Sequence, residues 1–372
     1  ISPNTHQIVS TVSAKYLWMK LLETRMLTGE PYIIFIDSAN KKLPSWLVDK
    51  GLSIHGSNLC TEIFLPTNRE RTAVCCLSSV NLEYFDEWKN NKDFIPDIME
   101  MLDNVLTFFI EKANSSVQRA KYSAMRERSI GLGALGFHAL LQKNLVPFES
   151  IAAVSLNRKI FKHIKEECIR GDSKLCMRRG PCEDARDSGR HRRFSHHTAI
   201  APNASTSLIM GNTSPSVEPY RANVYRQDTL SGAYIQRNKF LQQWLQDNSL
   251  DTEHLTEELP ETIREVFKTA PEIDQTWVIN LAAQRQEFID QGQSINLFFT
   301  PDVDVKYLHG CHFLAWKNGL KSLYYCRSDK LRKADSVSTK IKRNRIEEGD
   351  SYTMQQLAQE NKEEDSCIAC EG

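Results

Sequence analysis

Ser57-Asn58-Leu59-Cys60-Thr61-Glu62 places a thiol between an amide and a carboxylate, each two positions away. In extended backbone, residues two apart share a face. Read so, Asn58, Cys60 and Glu62 point one way and Leu59 and Thr61 the other. A cysteine between a hydrogen-bonding amide and a potential base suits radical or nucleophilic chemistry. The plainer account of an isolated N-x-C-x-E is a strand edge with a buried free cysteine, so the decision rests with the rest of the chain.

The chain has 372 residues, 41% hydrophobic and 25% charged, with a formal net charge of zero. That length suits two or three average domains or one large barrel, and the composition is that of a soluble globular protein. The neutral balance argues against a general nucleic-acid or membrane partner; a phosphate would be held by local geometry, not by a broad positive field. Ten irregularly spaced cysteines, with no signal peptide ahead of them, read as functional thiols in a reducing, cytoplasmic compartment. No apolar run approaches the roughly 18–20 residues that a membrane span needs.

Along the chain, Lys15 to Thr28 carries apolar residues at helical spacing and stops at Gly29. Tyr32-Ile33-Ile34-Phe35-Ile36 reads as a strand buried on both faces, and Asn40 to Gly56 as a loop leading to Cys60. Thr72 to Leu82 is strand-like. Asp97 to Ala113 reads as an amphipathic helix with Ile98, Met101, Leu102, Val105, Phe109 and Ala113 inward. Gly131 to Gly136 fits G-x-G-x-x-G, but Arg126-Glu127-Arg128-Ser129 makes a poor preceding strand. Glycines allowing close approach explain it better than a dinucleotide fingerprint.

Cys176, Cys182, His191, His196 and His197 invite a zinc reading. Their spacing fits none of the common ligand pairs, so Arg170 to His197 reads as a surface loop. Trp277 to Phe299 gives a helix and then a buried strand, Cys311 to Lys321 a helix, and Leu323 to Cys326 a short strand. The alternation of helices and buried strands predicts an α/β protein with parallel strands. Ser328 to Gly372 is charged and poor in apolar residues and reads as a mobile tail.

Several long motifs, in order, are shared with one family. SNLCTEI, AVCCLSS, RERSIGLGALGFHALL, IAPNASTSLIMGNTSPSVEPY, FIDQGQSINLF, HFLAWKNGLKSLYYCR and the terminal CIAC resemble the large, catalytic subunit of class I ribonucleoside-diphosphate reductases. The resemblance implies the C-terminal portion of a ten-stranded α/β barrel with a cysteine-bearing finger loop, followed by a flexible redox tail. The expected division is 1–327 for the barrel portion and 328–372 for the tail.

By that resemblance, Cys60 is the site of a transient thiyl radical that abstracts the substrate's 3′-hydrogen. Glu62 takes the 3′-hydroxyl proton, and Asn58 holds the ribose hydroxyls. Such residue types can do this work: a carboxylate is a general base and an amide both donates and accepts. Cys75 is implied to be one member of the redox-active pair, with Cys76 facing the other side of a strand. Tyr324 and Tyr325 resemble the stacked pair that relays the radical.

Cys367 and Cys370 form a close-spaced dithiol on the tail. The roughly 40 residues after Arg327 give a coil span of roughly 30–40 Å, enough to shuttle between an interior disulfide and thioredoxin or glutaredoxin. Pro202, Asn203, Ala204, Ser205 and Thr206 resemble the substrate-phosphate loop. Backbone amides at a helix start with Ser/Thr hydroxyls bind phosphate without net charge; a simple helix cap is the alternative. Asn203 stands where some relatives have Thr.

The resemblance implies no cofactor or metal bound directly. The radical comes from a metal-containing small subunit, the reducing equivalents from thioredoxin or glutaredoxin, and the other barrel half from an N-terminal complement. The substrate is a ribonucleoside diphosphate. A glycyl-radical enzyme would share the barrel but not the tyrosine pair or the dithiol tail. A stand-alone thiol oxidoreductase would carry C-x-x-C at a helix start in a compact domain. A non-catalytic reductase fragment with a structural or partner-binding role is the remaining alternative.

Overall fold

A computed structural model describes residues 4–229, 232–251 and 259–328. Its first helix, α1 (Ala14–Thr28), is capped by the Ser13 hydroxyl and ends at Gly29, whose φ of 85° closes the last turn. Then come β1 (Ile33–Ile34), α2 (Ile36–Lys41), α3 (Ser45–Val48) and β2 (Leu77–Asn81). After β2 lie α4 (Phe85–Trp88), α5 (Phe94–Lys112) and α6 (Gln118–Glu127), which lead to β3 (Gly131–Leu135). From β3 the chain runs through α7 (Phe137–Lys143), α8 (Ile151–Arg179) and α9 (Glu183–Asp187) to an extended stretch at 197–200, then α10 (Ala204–Ile209). A hairpin, β4 (Val224–Thr229) and β5 (Gly232–Arg237), precedes α11 (Lys239–Asp247), α12 (Glu261–Val266) and α13 (Gln275–Gln286). The described residues finish with β6 (Leu297–Phe299), α14 (Val305–Lys317), β7 (Ser322–Leu323) and β8 (Cys326–Ser328).

Parallel pairing organises the molecule. β2 pairs with β3, and β6 with β8, both in parallel. Single parallel bridges, Leu132 to Thr198 and Ile200 to Gln293, join these ladders through the 197–200 stretch. The order is therefore β2, β3, 197–200, β6, β8, each step crossed over by helices, as parallel strands require. β1 lies antiparallel to β7 at the far edge. Leu132, Ala134, Leu297, Phe299 and Cys326 share one core with Phe137, Phe161 and Ile164 of the crossover helices.

Gly133 has no room for a side chain: a Cβ there would sit 2.5 Å from the Ala199 carbonyl oxygen. The glycine run is therefore itself a strand that admits its neighbour closely, as the close-approach reading expects.

Six local readings are corrected. The 32–36 run yields only the two-residue β1; Ile34 and Ile36 are 37% and 40% exposed, because this is an edge segment that turns at once into α2. The 40–56 stretch holds helix, with Ala39, Leu43 and Leu47 packed under Phe64. α5 buries Ile95, Met99, Leu102 and Leu106, whereas Met101 and Val105 are exposed. Its rotation follows Asp103, buried where Arg128, Arg179 and Arg193 pair with it. Residues 170–197 are no surface loop. α8 continues to Arg179, Cys176, Cys182, His196 and His197 are buried, and Arg179, Arg192 and Arg193 look solvated only until their partners Asp103 and Asp172 are seen. Finally, Leu323 to Cys326 is two strands, and Tyr324-Tyr325 occupies the break between them. Ser328, assigned to the tail, closes β8.

Candidate active site

The Cys60 stretch is a turn, which corrects the extended reading. The Thr61 amide donates to the Asn58 carbonyl at 3.1 Å, and Thr61 takes a φ of 62°. The Asn58 side-chain oxygen accepts from the Glu62 and Ile63 amides, both at 3.1 Å, and so closes the turn. Alternation no longer places the three side chains; anchors from distant segments do. The Gly292 amide donates to the Glu62 carbonyl at 2.8 Å, and the Ser322 hydroxyl to the Thr61 carbonyl at 2.7 Å. The Ser294 hydroxyl lies 2.5 Å from the Cys60 carbonyl oxygen and 3.1 Å from Glu62 Oε2.

This packing sets the site's proton affinities. Glu62 is 2% exposed. Burial raises its pKa, against hydrogen bonds from Asn58, its own backbone and Ser294 that favour the ion. Burial also pushes the Cys60 thiol up, opposed by the Tyr324 hydroxyl and reinforced by the Glu62 carboxylate. A carboxyl held above its ordinary range, beside a thiol kept protonated, is equipped to accept and return one proton.

The tyrosines meet this turn directly. The Tyr324 hydroxyl lies 3.8 Å from Cys60 Sγ, and the Tyr324 and Tyr325 ring centroids are 4.3 Å apart. Burial, first of all, raises the Tyr324 pKa, and the contact with Cys60 adds to it. The break between β7 and β8 is what lets successive residues present neighbouring rings. In a continuous strand they would face opposite sides.

Cys75 precedes β2 and is exposed, whereas Cys76 is buried with its sulfur 3.7 Å from the Leu102 carbonyl. The Cys75 sulfur itself is desolvated enough that its pKa rises to about 11, with Glu62, Cys76 and Cys60 adding to the shift. Cys75, Glu62 and Cys60 therefore form one neighbourhood. Cys367 and Cys370 lie outside the described residues.

The 202–206 stretch leads into α10. Asn203 adopts φ 55° at the helix start with no side-chain cap. Its amide nitrogen instead donates to Ser79 Oγ at 3.1 Å, to the Ala134 carbonyl at 3.4 Å and to the Ala201 carbonyl at 3.0 Å. That side chain fastens the helix start to β2 and β3. Ala204, Ser205 and Thr206 are exposed, with the unpaired amides that any helix N-terminus presents.

Besides Gly292, Ser294 and Ser322, four residues of the site were not singled out from the sequence. Tyr32 packs 4.6 Å from Tyr324 and 4.9 Å from Tyr325, centroid to centroid, and its hydroxyl donates to Glu30. Arg25, fully buried, donates to the Tyr324 carbonyl at 3.0 Å and to His312 at 3.1 Å. Glu218, held at about 7 by burial, accepts both its hydrogen bonds from the Asn296 side-chain nitrogen, while Asn296 Oδ1 accepts from the Tyr325 amide. The Arg327 guanidinium lies 4.0 Å above the Tyr325 ring. Tyr32 was hidden in an apolar run. Glu218 stands in a motif rich in hydroxyl residues, where a single carboxylate carries no local signal of its own.

Among the described residues, no group of three or more His, Cys, Asp and Glu side chains is placed to hold a metal ion. No described helix is long and apolar enough to cross a membrane.

Comparison with known proteins places this geometry. The family described as "Ribonucleotide reductase, barrel domain" matches residues 3–193 and 186–326. The ribonucleoside-diphosphate reductase large subunit of Invertebrate iridescent virus 3 is 48% identical over 354 residues, which cover 91% of this chain and 56% of that protein. The large subunit of Invertebrate iridescent virus 6 is 51% identical over 297 residues, or 75% of this chain and 31% of that protein. The solved class Id ribonucleotide reductase alpha subunit of Actinobacillus ureae is similar with a TM-score of 0.79 at 41% identity, covering 85% of this chain and 61% of that one. The chain thus spans about half the length of the relatives it matches.

Proposed function

The chain belongs to the ribonucleotide reductase large-subunit family, matched through its barrel domain, and on that premise we propose that it carries the radical half of a reductase active site. The observation that carries the proposal is the Tyr324 hydroxyl 3.8 Å from Cys60 Sγ, with the Tyr325 ring centroid 4.3 Å from that of Tyr324 at a tilt of 57° and buried Glu62 beside the thiol. In this reading an external radical enters at Tyr325, passes to Tyr324 and oxidises Cys60 to a thiyl. The thiyl takes the 3′-hydrogen of a ribonucleoside diphosphate while Glu62 takes the 3′-hydroxyl proton. The 2′-hydroxyl then leaves as water, taking its proton from the dithiol that includes Cys75. That dithiol supplies two electrons and ends as a disulfide, and Cys60 returns the hydrogen to C3′.

The finer parts belong to the same proposal. The parallel order β2, β3, 197–200, β6, β8 forms half of a ten-stranded barrel, and the 57–63 turn is its finger loop. An N-terminal half supplies the other strands and the second cysteine, and a metal-containing small subunit supplies the radical. Asn58 holds the ribose hydroxyls, and the 202–206 segment receives the phosphates through backbone amides and the Ser205 and Thr206 hydroxyls. Thioredoxin or glutaredoxin recharges the site through Cys367 and Cys370, in the cytoplasm.

The test is reconstitution of this chain with an N-terminal half and a small subunit, measuring deoxyribonucleoside diphosphate formed. The assembled enzyme should turn over, and Cys60→Ser should abolish turnover with the fold intact, since an alkoxyl radical is far harder to form than a thiyl. Substantial reduction by Cys60→Ser refutes the assignment. An inactive wild-type assembly that still binds its partners would favour the non-catalytic reading.

A further inference from the structure

We propose that Ser294 is a positioning residue that couples the protonation of Glu62 to the placement of Cys60, an inference that rests on the reading of this turn as the radical site. Ser294 stands just ahead of β6, 2% exposed, with its backbone amide bonded to the Ile200 carbonyl at 2.9 Å. Its hydroxyl lies within hydrogen-bond distance of two oxygens at once, the Cys60 carbonyl at 2.5 Å and Glu62 Oε2 at 3.1 Å. A serine hydroxyl has one proton to give. When Glu62 is ionised, both neighbours are acceptors and compete for it, and the carboxylate is the stronger acceptor. When Glu62 is protonated, its own O–H donates to Ser294 Oγ and Ser294 donates to the Cys60 carbonyl. Both contacts are then satisfied in one chain. Proton uptake by Glu62 thereby tightens the hold on the residue that bears the thiol.

The turn's other anchors do not respond to this proton. Ser322 and the Gly292 amide donate to the Thr61 and Glu62 carbonyls, acceptors that do not titrate. The titratable groups acting across this space are Cys60 on the turn itself, Cys75 from the segment ahead of β2, and Tyr324, whose hydroxyl touches Cys60. Burial keeps Glu62 above its ordinary range, with the Ser294 hydroxyl among the groups holding it down.

The experiment is an infrared titration of the full chain. The Glu62 carboxyl band is identified by its loss in Glu62→Gln. The Cys60 carbonyl is followed in protein labelled with carbonyl-¹³C cysteine and identified by its loss in Cys60→Ser. Ser294→Ala removes the donor to the ionised carboxylate and both bonds of the protonated chain alike, so the diagnostic is the Cys60 carbonyl band and not the Glu62 midpoint. The Cys60 carbonyl band should shift to lower frequency as Glu62 protonates in the wild type, and stay fixed through that titration in Ser294→Ala. Ser294→Thr retains the hydroxyl and should behave as the wild type. A Cys60 band that still follows Glu62 in Ser294→Ala, or a Thr variant whose band stays fixed like that of Ala, would overturn the proposal. These readouts need no turnover. An inactive reconstituted enzyme whose carbonyl band still responds would overturn the catalytic reading and leave the coupling standing.

Discussion

Replacing Gly292 with alanine tests whether the turn's position depends on an empty Cβ site. A Cβ on Gly292 would lie 2.4 and 2.6 Å from two ring carbons of Phe64 and 3.1 Å from the Thr61 carbonyl oxygen. Carbon atoms pack best at roughly 3.5–4.0 Å, so the two segments must part by about 1 Å. Phe64 cannot give way easily, being fully buried against Leu47 and Ile54. The parting instead stretches the 2.8 Å bond from the Gly292 amide to the Glu62 carbonyl. Two effects oppose one another. Gly292 is not among the glycines with positive φ, so alanine suits its backbone and stabilises by about 0.4–1 kcal/mol through the unfolded state. Overpacking costs about 1–3 kcal/mol, so the clash wins and a net loss of about 1–2 kcal/mol is expected. Turnover should fall further than stability, because about 1 Å of misplacement at a reacting group costs on the order of 100-fold. Urea denaturation of the chain and turnover of the reconstituted enzyme measure the two. A Gly292→Ala chain at least as stable as wild type, with turnover within about twofold, would refute the reasoning.

Burial lifts Glu218 from an ordinary 4.5 to about 7, so the folded chain keeps a proton there that the unfolded chain loses first. That contribution to stability is full below about pH 4.5 and is lost as pH rises through about 7, up to an amount on the order of 3 kcal/mol. Urea titrations at pH 5 and pH 8 should show a smaller loss for Glu218→Gln; equal pH dependence would contradict the cause given. Tyr32→Ala removes the ring that packs on both Tyr324 and Tyr325 and, if these carry the proposed relay, should lower turnover by about tenfold, with Tyr32→Phe near wild type because the ring contacts remain. Indistinguishable turnover in the Ala variant would show that the pair needs no third ring. Cys367→Ser with Cys370→Ser should spare a single turnover, block multiple turnovers driven by thioredoxin, and respond in part to dithiothreitol; an unchanged thioredoxin-driven rate would remove the tail from the cycle.

Much of this protein is written in short-range signals. The helix over 14–28 was legible from its spacing and from Gly29, because a helix is made of contacts within four residues and a C-cap needs a residue that tolerates positive φ. Cys60, Glu62, Tyr324 and Tyr325 could be picked out because they stand in long motifs whose order along the chain marks the family. What the sequence could not decide is set by partners far away along it. The inward face of α5 is chosen by Asp103, whose arginines sit up to 90 residues distant. The geometry at Cys60 depends on a serine 234 residues away and a tyrosine 264 residues away. A turn between residues 58 and 62 and a strand there look alike in local propensity. Only the hydrogen bonds from Gly292, Ser294 and Ser322, available once the parallel strands have assembled, make the turn the state in which the backbone's polar groups are paired.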